Sequence, residues 1–157
     1  AALLQEKIVA TASDQMIVIA DAAKEVQQLG AFPLPIEVIP FGWQTTKALV
    51  EETLESLDVL SRDVSLRMNG DRPLTTDENN YILDLHLRRI GNPRQMALIL
   101  NQIPGVVENG LFIDICDILV TGHGDGRVTV RDINSGAESD DRILFSPTDN
   151  IFANMDD

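Results

Sequence analysis

Residues 81–88 read YILDLHLR, and this stretch decides what kind of sheet the chain builds. Along an extended strand Tyr81, Leu83, Leu85 and Leu87 face one way, and Ile82, Asp84, His86 and Arg88 face the other. Residues 64–68, VSLRM, repeat the pattern, with Val64, Leu66 and Met68 on one face and Ser65 and Arg67 on the other. Period-two alternation with one wet face marks antiparallel pairing. The link NGDRPLTTDENN (69–80) is polar and rich in turn formers.

The pattern extends outward on both sides. TTKALVEETLESL (45–57) is periodic near 3.6, with Ala48, Leu49, Thr53 and Leu57 on one side and acids on much of the other. NPRQMALILNQI (92–103) offers Asn92 as a cap and Pro93 in the first turn of a second helix. PIEVI (35–39) and GVVENGLF (105–112) read as strands, and Pro33, Pro35 and Pro40 hold the first of them extended and exclude helix. The order over 34–112 is β-α-β-β-α-β, the ferredoxin-like split βαβ pattern.

Outside that span the character differs. AALLQEKIVA (1–10) has the composition of a helix interior but no capping residue before it. MIVIAD (16–21) is a continuous apolar run suited to a strand buried on both faces, and AAKEVQQLG (22–30) reads as a short helix stopped by Gly30. DILVTG (117–122) is a second strand of the buried kind, and HGDGRVTVRD (123–132) continues it through an Asp125-Gly126 turn. After Asn134 there are six acids against one Arg and no apolar period. The expected organisation is α/β: residues 1–33 part of a Rossmann-like sheet domain, 34–112 an inserted ferredoxin-like α+β small domain, 113–133 strands returning to the first sheet. Residues 134–157 are expected to be an acidic extension, disordered or laid over the surface.

The chain has 157 residues, 44% of them hydrophobic, enough for a sizeable core. Asp and Glu number 25 against 12 Lys and Arg, a net charge of −13. The largest basic cluster is the LRR of residues 87–89, so neither nucleic acid nor an anionic membrane is an expected partner. Apolar runs fall well short of the ~20 residues that span a bilayer. The first residues lack the basic and apolar regions of a signal peptide. One cysteine, Cys116, makes no internal disulfide and fits a reducing, cytoplasmic setting; its bland reading is a small buried hydrophobe. Two isolated histidines and one cysteine offer no metal-ligand spacing, so no metal is expected.

Glu6 is the first candidate for chemistry. Its helical neighbours Ala2, Leu3, Val9 and Ala10 are all apolar, an arrangement expected to desolvate the carboxylate and raise its pKa toward that of a general base. The competing reading is a solvated charge paired with Lys7, and Gln5 shares the apolar surroundings. Lys24 and Asp21 follow the strand MIVIAD, where open α/β sheets bind their ligands; the competing reading is a surface charge at a turn. His86 reads as a solvated or hydrogen-bonded sheet residue and His123 as a turn residue. GHGDG (122–126) is followed by strand and not helix, which argues against a phosphate loop.

Four collinear blocks, AALLQEKIVA, IVIADAAKEVQQLGAFPLPIEVIPFGW, TTDENNYILDLH and IPGVVENGLF, together resemble the C-terminal portion of type A ribose-5-phosphate isomerase over residues 1–130. The resemblance implies a Rossmann-like domain with a ferredoxin-like insertion and the interconversion of ribose 5-phosphate and ribulose 5-phosphate in the pentose phosphate pathway. It implies no metal or organic cofactor, a sugar-phosphate partner, and self-association as a dimer or tetramer. It makes Glu6 the proton-transferring base and Lys24 a substrate contact. It also implies that a lysine and a glycine run precede Ala1 in the family's pattern. The family's phosphate loop and acidic loop have no counterpart here, so the chain alone is expected to be inactive. Glu78 stands where the family usually has Gly. The rival class is a non-catalytic ligand-sensing or oligomerisation module of ferredoxin-like fold, which gives Glu6 no role.

Overall fold

The computed structural model describes residues 3–142. In chain order its elements are α1 (Leu4–Ala12), β1 (Ile17–Asp21), a 3-10 turn (Ala22–Lys24), β2 (Leu34–Val38), α2 (Trp43–Leu54), β3 (Asp63–Leu66), β4 (Met68–Asn69), β5 (Arg72–Pro73), β6 (Tyr81–His86), α3 (Pro93–Leu100), β7 (Val106–Asn109), β8 (Ile118–Gly122), β9 (Arg127–Asp132) and β10 (Glu138–Arg142). They form two compact units, residues 3–14 with 26–115 and residues 15–25 with 116–142.

In the first unit the sheet runs β3-β6-β2-β7, antiparallel throughout. Counted within 34–112 this is strand order 2-3-1-4 with two helices, the ferredoxin-like arrangement. Leu83, Leu85 and Leu87 are buried as their alternation predicts, and they join Ile36, Val38, Val50, Leu54, Met96 and Leu100 in one core between sheet and helices. The Asn92 side chain caps α3 by accepting from the Gln95 N–H at 3.0 Å, with Pro93 in the first turn.

Two local expectations are corrected. α2 buries Thr46, Val50 and Leu54 and leaves Ala48 exposed. Leu57 is buried and Leu49 packs against the core as expected, so the stripe is offset and not replaced: Val50 and Leu54 join it and Ala48 falls outside it. Met68 leaves the strand face: the chain breaks after Leu66 and enters a two-residue hairpin, β4 with β5, that turns at Gly70 (φ 63°).

In the second unit the order is β1-β8-β9-β10. β1 and β8 are parallel, from Ile17 opposite Ile118 to Asp21 opposite Gly122. β8 and β9 form the hairpin expected at Asp125-Gly126, where Gly126 has φ 83°. β1 is not buried on both faces. It is one of the two edge strands among the described residues, and Ile19 is 79% exposed. AAKEVQQLG supplies one 3-10 turn and then irregular chain: among the described residues Val26 and Leu29 stay largely exposed, and a segment this short does not hold a helix unaided. Residues 138–142 form β10, which the sequence did not suggest. All five are exposed, so no hydrophobic period exists; backbone pairing with β9 and the Thr129–Asp140 and Arg131–Glu138 contacts hold the strand. The rest of the acidic extension, 143–157, lies outside the described residues.

Candidate active site

The first unit carries a cleft on the face of its sheet that points away from the helical core. Side chains alternate along β2, so Leu34, Ile36 and Val38 enter the core and Glu37 points the other way. Glu37 is opposite Ile82 on β6 and Glu108 on β7, and cross-strand partners share a face. Ile82, Glu37 and Glu108 therefore form a row across three strands. Arg67, whose Nε and Nη2 donate to the two carboxylate oxygens of Asp84 at 2.8 and 2.5 Å, extends the polar surface beside it.

Each acid in the row holds a different piece of chain. Glu108 accepts from Lys7 Nζ of α1 at 2.7 Å, and the same ammonium donates to the Asn109 carbonyl at 2.6 Å and lies 5.1 Å from the centroid of the Phe112 ring. Glu108 also accepts from the Asn109 N–H and from Asn101 Nδ2. Burial pushes the Glu108 carboxyl up, but the donors from Lys7, Asn109 and Asn101 outweigh it and hold the group below the ordinary glutamate value. Glu37, 1% exposed, accepts from Thr76 Oγ1 at 2.8 Å and Asn80 Nδ2 at 2.9 Å. That fixes the 76–80 turn, which closes through Asn79 at φ 60°. Across the top, Gln5 Nε2 of α1 donates to Glu78 Oε1 at 2.7 Å.

Between α1 and this turn lies a cavity of about 210 Å³ whose lining includes Gln5, Glu6, Glu37, Arg67, Thr76 and Glu78. Glu6 is the third residue of α1, and its Oε2 accepts from the Leu3 N–H at 3.0 Å, reaching back over the helix start that no side-chain cap protects. The expected desolvation is corrected. Glu6 is exposed, and the backbone N–H of Leu3, followed by its own, holds its carboxyl below the ordinary value. Its apolar sequence neighbours do not cover it: Leu3 and Ala10 turn into the protein, while Val9 is itself exposed.

Lys24 belongs to the second unit. It ends the 3-10 turn that follows β1, at the carboxyl end of that strand, where Asp21 caps the turn by accepting from the Ala23 N–H at 2.8 Å. Among the described residues Lys24 is exposed and enters no ion pair. His86 Nε2 meets Ser65 Oγ at 2.8 Å on the exposed sheet face, and His123 Nε2 meets Thr129 Oγ1 at 2.9 Å beside the hairpin turn. Cys116 is half-buried and donates to the Ile118 carbonyl. Lys7, named from the sequence only as a partner for Glu6, pairs with Glu108 instead, and Glu37, Thr76, Asn80 and Glu108 were not singled out from the sequence. The available signal was a glutamate inside the otherwise apolar run PIEVI, and another inside GVVENGLF.

The family model of ribose 5-phosphate isomerase A (phosphoriboisomerase A) matches residues 1–126. The chain belongs to the ribose 5-phosphate isomerase A family. It is 74% identical over 156 residues to the ribose-5-phosphate isomerase A of Ruegeria sp. (strain TM1040) and 72% identical to that of Ruegeria pomeroyi, covering 99% of this chain and 60% of each relative. It thus spans about three-fifths of the length of these curated isomerases A. Two solved structures superpose with TM-scores of 0.70. One is a D-ribose-5-phosphate isomerase in complex with phospho-erythronic acid, 40% identical, with 81% of this chain and 53% of that one covered. The other is ribose 5-phosphate isomerase A from Methanocaldococcus jannaschii, 30% identical, with 82% and 54% covered. No helix among the described residues is long and apolar enough to cross a membrane.

Proposed function

We propose that the protein interconverts ribose 5-phosphate and ribulose 5-phosphate through an enediol(ate), with Glu6 as the base that shuttles the proton. The observation that carries this reading is an ionised carboxylate lining a cleft in a chain of this isomerase family. In the open-chain aldose, Glu6 takes the proton from C2 and the C2–H electrons become the C1–C2 double bond. The C1 carbonyl oxygen becomes an oxyanion and gains a proton. O2 then gives up its proton as its carbonyl forms, and Glu6 returns a proton to C1. A depressed pKa keeps Glu6 in its basic form at neutral pH. Substrate settling over an exposed carboxylate strips water from it and raises its proton affinity for the transfer.

Lys24 holds the substrate by charge-assisted hydrogen bonding at the end of β1. A relative's complex with phospho-erythronic acid supports a phosphorylated sugar-like ligand. The reaction uses no metal or organic cofactor, and the protein is a cytoplasmic homo-oligomer.

The test is turnover of ribose 5-phosphate by the full-length protein. Glu6→Gln lowers kcat by at least about 10²-fold with folding intact, the lower end for loss of a general base. Lys24→Met raises KM more than it lowers kcat. Near-normal turnover in Glu6→Gln removes this residue from the mechanism.

A further inference from the structure

Glu37 has no place in the proton transfer, yet it is a carboxylate almost fully withdrawn from water in the middle of the central strand β2. Burying a carboxylate there is costly, and its two side-chain partners, Thr76 and Asn80, are neutral. An apolar residue in its place would pack without that cost, so what the carboxylate supplies is geometry. Thr76 is the hub of that geometry. Its Oγ1 donates to Glu37 and accepts from the Asn80 N–H at 3.1 Å, while its backbone N–H donates to the Asn80 carbonyl at 2.9 Å. The turn so fixed carries Glu78, which takes the Gln5 amide of α1, and Gln5 is the residue before Glu6. Two sets of hydrogen bonds, joined through the backbone of the 76–80 turn, therefore connect the buried strand to the helix that bears the base.

We propose that Glu37 is a positioning residue for the isomerisation, acting through the 76–80 turn and Gln5 to hold Glu6 at the angle proton transfer requires. This inference rests on the reading of Glu6 as the base. Both of its bonds are accepted by Oε1, so a glutamine with its carbonyl oxygen in that place satisfies Thr76 and Asn80 equally well. The role needs an acceptor and not a charge.

The experiment compares Glu37→Leu, Glu37→Gln, Thr76→Val and Glu6→Gln in the full-length protein, assayed with ribose 5-phosphate at a temperature where circular dichroism shows each variant folded. Glu37→Leu is expected to lower kcat about 10-fold or more, since misplacement of a reacting group costs up to ~10² in rate, while KM moves less than about threefold. Glu37→Gln restores kcat to within about threefold of the parent, which a lost charge would not allow. Added to Glu6→Gln, Glu37→Leu lowers the remaining rate less than about twofold, because a positioning residue has nothing left to position. If Glu37→Leu does not fold, Thr76→Val cuts the same link and shows the same kcat loss at constant KM. A folded Glu37→Leu or Thr76→Val with parental kcat overturns the inference while an inactive Glu6→Gln leaves the assignment of the base standing. An active Glu6→Gln refutes that assignment, and this inference with it.

Discussion

The Lys7–Glu108 ion pair should be the main polar fastening of α1 to the sheet, and Lys7→Met tests it. The two side chains are 15% and 14% exposed, so solvent screens the pair little. Removing the ammonium forfeits a charged hydrogen bond to Glu108, a bond to the Asn109 carbonyl and the contact with Phe112. Charge-assisted bonds contribute about 1.5–3 kcal/mol, and stranding one partner of a fully buried pair costs about 3–5 kcal/mol. Glu108 keeps two donors, Asn109 N–H and Asn101 Nδ2, and so is not left bare. The expected loss therefore sits toward the lower range, at about 2 kcal/mol. For a chain of this size that is a fall in Tm of roughly 4–8 °C. The assay is urea unfolding followed by the fluorescence of Trp43, the single tryptophan, which packs edge-on to Tyr81 at 6.5 Å in the same unit. Lys7→Met should lower the midpoint at constant slope. A double-mutant cycle with Glu108→Gln should give a coupling of about 1–2 kcal/mol. A coupling under about 0.5 kcal/mol, the range of an exposed pair, would refute the reasoning and leave α1 held by the burial of Leu3 and Ala10 and by the Gln5–Glu78 bond.

Two further outcomes follow from the same structure. Glu108 has a depressed pKa in the folded state, so its contribution is fully present above the ordinary glutamate value of 4.5 and is lost as pH falls through the folded value. Unfolding midpoints measured below pH 4.5 should fall less steeply in Glu108→Gln than in the parent, and equal slopes would remove this group from the acid sensitivity. Gly30 has φ 117°, and a Cβ there would sit 2.6 Å from the Arg89 backbone. Gly30→Ala should therefore destabilise by about 2 kcal/mol or more through strain and clash together, read as a drop in urea midpoint; an unchanged midpoint would show that the 29–31 and 89–90 segments shift freely.

Much of the ferredoxin-like half was legible from residues alone, for reasons local to each element. β6 announces itself because one of its faces is wet and the other dry, so hydrophobicity alternates. α3 announces itself because its cap and its proline are adjacent in the chain. α2 was legible as a helix and Leu49 and Leu57 reach the core as read, but the centre of its buried stripe was not legible, since Thr46, Val50 and Leu54 are chosen by the sheet they pack on. β10 was invisible because a strand with five exposed side chains leaves no apolar signal. The apolar run of β1 was read as doubly buried, although burial depends on what covers a strand and not on its own side chains.

The site divides in the same way. Glu6 and Lys24 could be named from collinear blocks that resemble one isomerase family, because such blocks are linear. The environment of Glu6 could not be read that way. Its apolar neighbours in sequence suggested a raised pKa, while the folded helix start turns Leu3 and Ala10 inward and leaves the carboxylate with backbone donors that lower it. The order and type of most elements are written locally, because period, capping and turn chemistry act over a few residues. The row Ile82–Glu37–Glu108 and the two walls it anchors exist only once the chain is folded. Those contacts join residues 39 to 101 positions apart, separations over which local pattern carries no information.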